Sequence, residues 1–292
     1  MDFVLPLMTV PVEEYVSTAI SAERLGFHSL AFADHVVTPR LVTSPYPSTP
    51  DGRIPWDENK SYPDPWVATA AMASRTSTIH FMSGIYVLPM RNPILVAHAV
   101  ATAAKFSGDR VILGVGVGWM REEFEVLGAD FSNRGRRTSE AITLMRSLWA
   151  GGYVRHEGEF YPTNPIHLCV TPSRAIPIYL GGGPGPAMER AARMGDGWIL
   201  PMGTAARTRE LIEAVNSLRR ELGNAERPFA IIADGSGCRN LQDFRRLEEL
   251  GATGVRVAPW NVFPPESGNL DQASRDRAME RFATEVLRHF SS

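Results

Sequence analysis

The sequence predicts an α/β protein built as one (β/α)8 TIM barrel over residues 1–292. Two observations predict it. Eight short apolar runs alternate with about eight amphipathic stretches, and strict strand-then-helix alternation implies a parallel sheet covered by helices. The chain has 292 residues and no composition break that marks a linker, and about 250 residues complete eight such units. An open doubly wound sheet also fits the alternation; eight units favour closure.

Taken in order, Phe3-Val4-Leu5-Pro6 reads as the first strand and 12–25 as a helix, with apolar Val16, Ala19, Ile20 and Leu25 at helical spacing and Gly26 as its stop. Residues 29–33 form a second strand ending at Asp34-His35. The segment 38–63 carries Pro39, Pro45, Pro47, Pro50, Pro55 and Pro63, a density that no helix or central strand tolerates. Long loops in compact domains are usually functional, and Tyr46, Trp56 and Tyr62 make this one a candidate lid. Asp64-Pro65 reads as an N-cap and first helical position for 65–77. A third strand, 79–87, leads to Pro89, and Asn92-Pro93 opens a helix closed by Gly108. The fourth strand, 110–117, precedes a charged insertion and a helix at 135–150. An irregular stretch, 151–175, leads to the fifth strand (177–180), the glycine run 181–185 and a helix at 186–194. Strands at 197–200, 228–233 and 253–258 then alternate with helices at 205–222, 240–250 and 272–290.

Composition excludes several classes. A net charge near −2 argues against general affinity for nucleic acid or anionic membrane. No run of 18 apolar residues spans a membrane, and the N-terminus lacks a signal-peptide pattern, so a cytoplasmic location is expected. Only Lys60 and Lys105 are lysines among 30 basic residues, leaving 28 Arg. That excess can mark phosphate forks, though a GC-rich genome gives the same bias. Cys169 and Cys238 read as isolated core thiols, with no metal-site spacing around them.

The motifs are sparse. GxxxxGK[ST], HExxH and GxSxG are absent, and the third spacing in Gly114-Val115-Gly116-Val117-Gly118-Trp119 does not fit a dinucleotide turn. Asp34-His35 falls at a C-terminal strand end, where parallel barrels carry their sites. A histidine there can stabilise an anion or relay a proton, with the neighbouring carboxylate orienting it or binding a cofactor. The plainer account is an Asp that caps a turn. Gly114, Gly116 and Gly118 clear one face of the fourth strand, either for a flat ring or because the interior is narrow. Gly181-Gly182-Gly183-Pro184-Gly185 precedes a helix, and free amides at such a start suit a phosphate. Arg134, Arg136 and Arg137 form a basic cluster that could hold an anionic tail or simply be solvated. Glu122 and Glu123 are candidate acids near the site, with a surface helix as the simpler account.

Together these segments resemble the luciferase-like monooxygenase superfamily, in its F420-dependent oxidoreductase branch. The pieces are FADH (32–35), GIYVLPMRNP (84–93), GDRVILGVGVGW (108–119), REEFEVLG (121–128) and GDGW (195–198). The resemblance covers residues 1–200 well and the remainder more loosely. It implies a barrel of the bacterial-luciferase type with insertions at its C-terminal rim, a homodimer, a deazaflavin ring at the strand ends and hydride transfer at its C5. Asp34 and His35 match the family's active-site pair, and Asp-His-Val in place of Glu-His-His points to F420 over FMN. Glu122 is carried as a third catalytic candidate. The resemblance also implies a non-proline cis bond at Gly84-Ile85 bracing the ring. Gly116, Gly118 and Trp119 fall on the segment that contacts ring and tail. Gly181, Gly182, Gly183 and Gly185 fall on the phosphate loop, where GGGPGPAM departs from the usual Gly-Gly-Ser. The last barrel loops contain no Lys, which argues against a glucose-phosphate substrate. The lid aromatics and Trp260 suggest an apolar or aromatic small molecule. An FMN-dependent monooxygenase and a non-catalytic flavin-binding barrel are the alternatives on the same fold.

Overall fold

In the computed structural model, which describes residues 1–49, 51–56, 59–265, 268 and 270–290, eight parallel staves close on themselves. Pro50 of the proline-rich segment lies outside the described residues. The strands are β1 (Asp2–Pro6), β2 (Ser29–Phe32), β3 (His80–Ser83) continued by β4 (Tyr86–Val87), β5 (Val111–Gly116), an outlying pair β6 (Val154–His156) and β7 (Thr163–Ile166), then β8 (Ile178–Gly181), β9 (Gly197–Ile199), β10 (Ala230–Asp234) and β11 (Gly254–Arg256). Pairing runs β3–β2–β1–β11–β10–β9–β8–β5, and β3 pairs with β5 to complete the ring.

Period-two alternation sorts each strand into two cores. Val4, Ala31, Met82, Ile112, Ile199 and Ile232 point inward and fill the barrel with Ile85, Tyr179 and Ala230. Their neighbours, including Phe3, Leu5, Leu30, Phe81, Leu113 and Val255, point outward under the helices. Those helices are α1 (Tyr15–Leu25), α2 (Pro65–Ala73), α3 (Pro93–Ser107), α4 (Arg121–Val126), α5 (Arg134–Trp149), α6 (Pro186–Met194), α7 (Ala205–Glu221), α8 (Leu241–Glu249), α9 (Pro259–Val262) and α10 (Gln272–Glu285). The expected caps form. Asp64 accepts from the Trp66 and Val67 amides, Asn92 accepts from Ile94, and Gly26 and Gly108 close their helices at φ 90° and 69°.

Four expectations need correction. The third strand is not continuous: a cis Gly84-Ile85 bond separates β3 from β4. The irregular stretch 151–175 contains the antiparallel β6–β7 pair, docked because Glu140 accepts from the Phe160 and Tyr161 amides. The last helix ends at Glu285 and is followed by a 3-10 turn, Leu287–His289. Cys169 is exposed; only Cys238 is buried.

Candidate functional site

β2 delivers Asp34 and His35 to the C-terminal rim, and the two side chains go to different partners. His35 Nδ1 lies 2.9 Å from Glu123 Oε2, and Glu123 Oε1 also accepts from the Val36 amide at 2.6 Å and the Val37 amide at 3.3 Å. The Glu123 side chain is 2% exposed. Burial opposes its charge, but the His35 contact and the two amides outweigh it and hold the carboxyl below its ordinary value. A carboxylate on Nδ1 fixes the proton there and leaves Nε2 as the free ring edge.

Asp34 does not orient His35. Its carboxylate takes a forked pair from Arg91, at 2.7 and 2.9 Å, and a bond from the Val87 amide at 2.8 Å. Burial pushes this carboxyl up while Arg91 pulls against it; burial lowers Arg91 in turn, and the Asp34 charge more than offsets that. The guanidinium also lies over the Tyr86 ring, 4.2 Å from its centroid. Asp34 therefore ties β2 to the β4 turn. Arg91, visible in sequence only as part of MRNP, carries no signal of this role. Among the two neighbouring acids it is Glu123, not Glu122, that reaches His35. Burial opposes the Glu122 charge, but the carboxylate accepts from the Thr43 amide, the Thr43 hydroxyl and the Ser44 amide, and together these bonds outweigh it and hold the group at about 2. On α4 the two reach different parts of the 36–44 segment, which spacing alone does not resolve.

The expected lid aromatics fold onto His35. Its ring meets Tyr62 at 5.0 Å, Trp56 at 5.8 Å and Trp119 at 6.1 Å between centroids, and Tyr46 packs edge-on against both tryptophans. Glu122, by holding Thr43 and Ser44, anchors this segment to α4. The Tyr62 hydroxyl is buried without a hydrogen-bond partner among the described residues.

The glycines of β5 serve the protein's own packing. A Cβ at Gly114 would strike the Ser83 carbonyl, one at Gly116 would fall 1.8 Å from Ile85 Cδ1, and one at Gly118 would meet Val87 and Phe124 at 2.6–2.7 Å. Gly181 is cleared for the same reason, since its Cβ would lie 2.5 Å from Ile85 Cγ2. Ile85 thus drops from the cis bond into a slot between Gly116 and Gly181 and floors the mouth. A ring resting there would meet Ile85, not bare glycine backbone. The remaining glycine run is different. Positions 183 and 185 have open space where a Cβ would stand, and α6 begins at Gly185 with no side-chain cap on its amides. Trp198 Nε1 donates to the Gly182 carbonyl and fixes the loop. Beside α6 lies a cavity of about 520 Å³ whose lining mixes Arg136, Arg190 and Arg193 with Glu140, Glu159 and Glu189, and Arg136 is paired with Glu159.

Arg134 is a clamp, donating to the Gly118 and Phe131 carbonyls, and Arg137 bonds Asn133 and covers Phe160. Trp260 is 3% exposed and donates to Thr9, so it belongs to the packing. A larger cavity, about 760 Å³, lies on the outer face between α2 and α3, away from His35 and the glycine loop.

A closed parallel barrel whose C-terminal mouth gathers an enclosed histidine–carboxylate pair, an aliphatic floor and an uncapped glycine loop defines a rim-site (β/α)8 protein. The chain belongs to the luciferase-like monooxygenase family, whose profile matches residues 6–276. It is 34% identical over 276 residues to an uncharacterized protein of Mycobacterium tuberculosis (strain ATCC 25618 / H37Rv), covering 94% of each chain. Against the F420-dependent glucose-6-phosphate dehydrogenase of Gordonia bronchialis it is 32% identical over 228 residues, 75% of this chain and 61% of that protein. The fold matches the coenzyme F420 dependent tetrahydromethanopterin reductase of Methanopyrus kandleri with a TM-score of 0.72 at 15% identity, over 99% of both chains. No helix among the described residues is long and apolar enough to cross a membrane.

Proposed function

We propose that the protein is an F420-dependent oxidoreductase that passes a hydride between the deazaflavin and a small organic substrate. The observation that carries this reading is the meeting of four separate segments at one mouth: Ile85 touches the Gly116 and Gly181 strands while His35 reaches across to Glu123 and Trp119. The F420-dependent relatives supply the choice of cofactor.

The residues fit such a group. The Ile85 shelf is an apolar surface for a planar ring, and the orphaned Tyr62 hydroxyl is a polar atom in want of a partner beside His35. The open positions 183 and 185 and the uncapped start of α6 suit a phosphate. When bound, F420 supplies hydride chemistry at C5. His35, held by Glu123, presents Nε2 to whatever occupies the mouth and can accept or donate a proton there. Trp56, Tyr62 and Trp119 cover the imidazole and keep water from it.

Fluorescence titration of the purified protein with F420 and with FMN tests the reading. F420 is expected to bind and FMN not, and His35→Ala should keep F420 binding while abolishing hydride exchange. Tight FMN binding without F420 binding would replace the proposal with a flavin monooxygenase. F420 binding without exchange under any substrate or reductant would replace it with a carrier.

A further inference from the structure

The segments assigned to the cofactor end on β2, β4, β5 and β8. The other half of the mouth is built by β9, β10, β11 and β1, and its inward positions are almost wholly apolar or small: Ile199, Ile232, Gly254, Val4 and Pro6. Asp2 is charged at the lower end of β1, level with Gly254, and two inward positions at the upper strand ends are charged. Asp234 follows Ile232 on the inward face of β10, Arg256 follows Gly254 on that of β11, and the ladder pairs them directly. A Cβ at Gly254 would meet Ile232 inside the barrel, which fixes the inward face of β11.

The pair is loosely made. Arg256 Nη2 stands 3.6 Å from Asp234 Oδ1, beyond good hydrogen-bond length, and the guanidinium makes no other side-chain bond among the described residues. Asp234 is better satisfied, accepting from the Ser236 hydroxyl at 2.5 Å. Side-chain exposure is 6% for Asp234 and 23% for Arg256, so the acid is buried while the arginine is partly open at the C-terminal end of β11. Buried Arg110, by contrast, is saturated: it donates to four backbone carbonyls and the Thr76 hydroxyl. Arg256 keeps most of its five donors open at the mouth of an apolar barrel.

We propose that Arg256 is the substrate anchor and that the substrate class is a monoanionic organic carboxylate, held by the guanidinium fork with its apolar body over the barrel interior. This rests on the cofactor occupying the β2–β8 half. A planar fork matches a carboxylate in two parallel bonds. Asp234 decides against a phosphate ester: it already offsets part of the Arg256 charge, no second cation stands on the inward positions of these four strands, and a dianion would meet the acid's repulsion.

Calorimetric titration of the F420-loaded protein with benzoate tests this, with benzamide as neutral isostere and inorganic phosphate as competitor. Benzoate should bind at least about tenfold more tightly than benzamide or phosphate. Arg256→Met should weaken benzoate by about tenfold or more, and Asp234→Asn should tighten it. The double variant D234N/R256M, which leaves no charge unpaired, should fold and behave like Arg256→Met. Equal benzoate affinity in wild type and the double variant, no benzoate binding by wild type, or a preference for phosphate would each overturn the proposal. F420 titrations of the same variants separate the two readings. They should all bind F420 as wild type does; if wild type binds none, the cofactor reading falls by itself, and benzoate is then titrated into the cofactor-free protein.

Discussion

Replacing Gly116 with alanine tests the floor of the mouth directly. The new Cβ would sit 1.8 Å from Ile85 Cδ1 and 3.0 Å from Cγ1, where ordinary contact needs about 3.4–4 Å. Rotating Ile85 away is blocked on the other side, because the Gly181 strand already lies against Cγ2. Overpacking of this kind costs about 1–3 kcal/mol, and a wedge closed on both sides belongs in the middle or upper part, about 2 kcal/mol. For a chain of this size that is roughly a 4 °C drop in Tm. The compensating change is Ile85→Ala, since Ile85 Cβ lies 3.6 Å from the Cβ positions of both Gly116 and Gly181, an ordinary contact. By itself Ile85→Ala should cost less than the roughly 2–5 kcal/mol of a fully buried Ile→Ala, because Ile85 is half-exposed. The double variant should be no less stable than Ile85→Ala, giving a coupling of about 2 kcal/mol. Urea denaturation of the four proteins measures it. A neutral Gly116→Ala, or additive costs, would refute the packing of Ile85 between the two glycines.

Glu123→Gln keeps the shape but loses a charge-assisted contact with His35; it should cost about 1.5–3 kcal/mol in denaturant unfolding. The folded Glu123 carboxyl sits below its ordinary value, so its contribution is present above about pH 4.5 and lost as pH falls through the folded value; the variant should show a shallower acid-side loss. Arg91→Met strands the buried Asp34 carboxylate and should cost about 3–5 kcal/mol, with D34N/R91M recovering most of it by the same measurement. His80 stacks on His28 at 4.7 Å, facing Asp2 and Arg110, and burial followed by the His28 charge holds its pKa below the ordinary value. The unfolded chain then binds a proton that folded His80 refuses, so stability should fall as pH drops from about 7 through the unfolded value near 6.5 toward the folded one. His80→Gln should flatten that slope in thermal unfolding scans at stepped pH.

Much of the barrel is legible in the residue order because local rules write it. Asp64-Pro65 and Asn92-Pro93 start helices, Gly26 and Gly108 stop them, and apolar alternation marks each stave. The Gly84-Ile85 cis bond was also expected, from the resemblance carried by the residues around it. The β6–β7 pair was missed because its residues are half-exposed and polar, and what docks it, Glu140, is an unremarkable acid on a distant helix. Arg110 reads only as the first residue of the fourth strand, yet it is buried and holds the end of α2 to the barrel base.

The sequence by itself determined the order and type of the elements, the place of the histidine at a strand end and the glycine positions, since these follow from short-range periodicity, capping and backbone freedom. Only the tertiary structure decided the partnerships. Asp34 went to Arg91 and not to its neighbour His35, Glu123 displaced Glu122, Gly116 and Gly181 made room for Ile85, and Arg256 met Asp234 inside the mouth. Partners 57, 88 and 22 positions apart are chosen by barrel closure and by which face of each element turns inward, and no local pattern carries that choice.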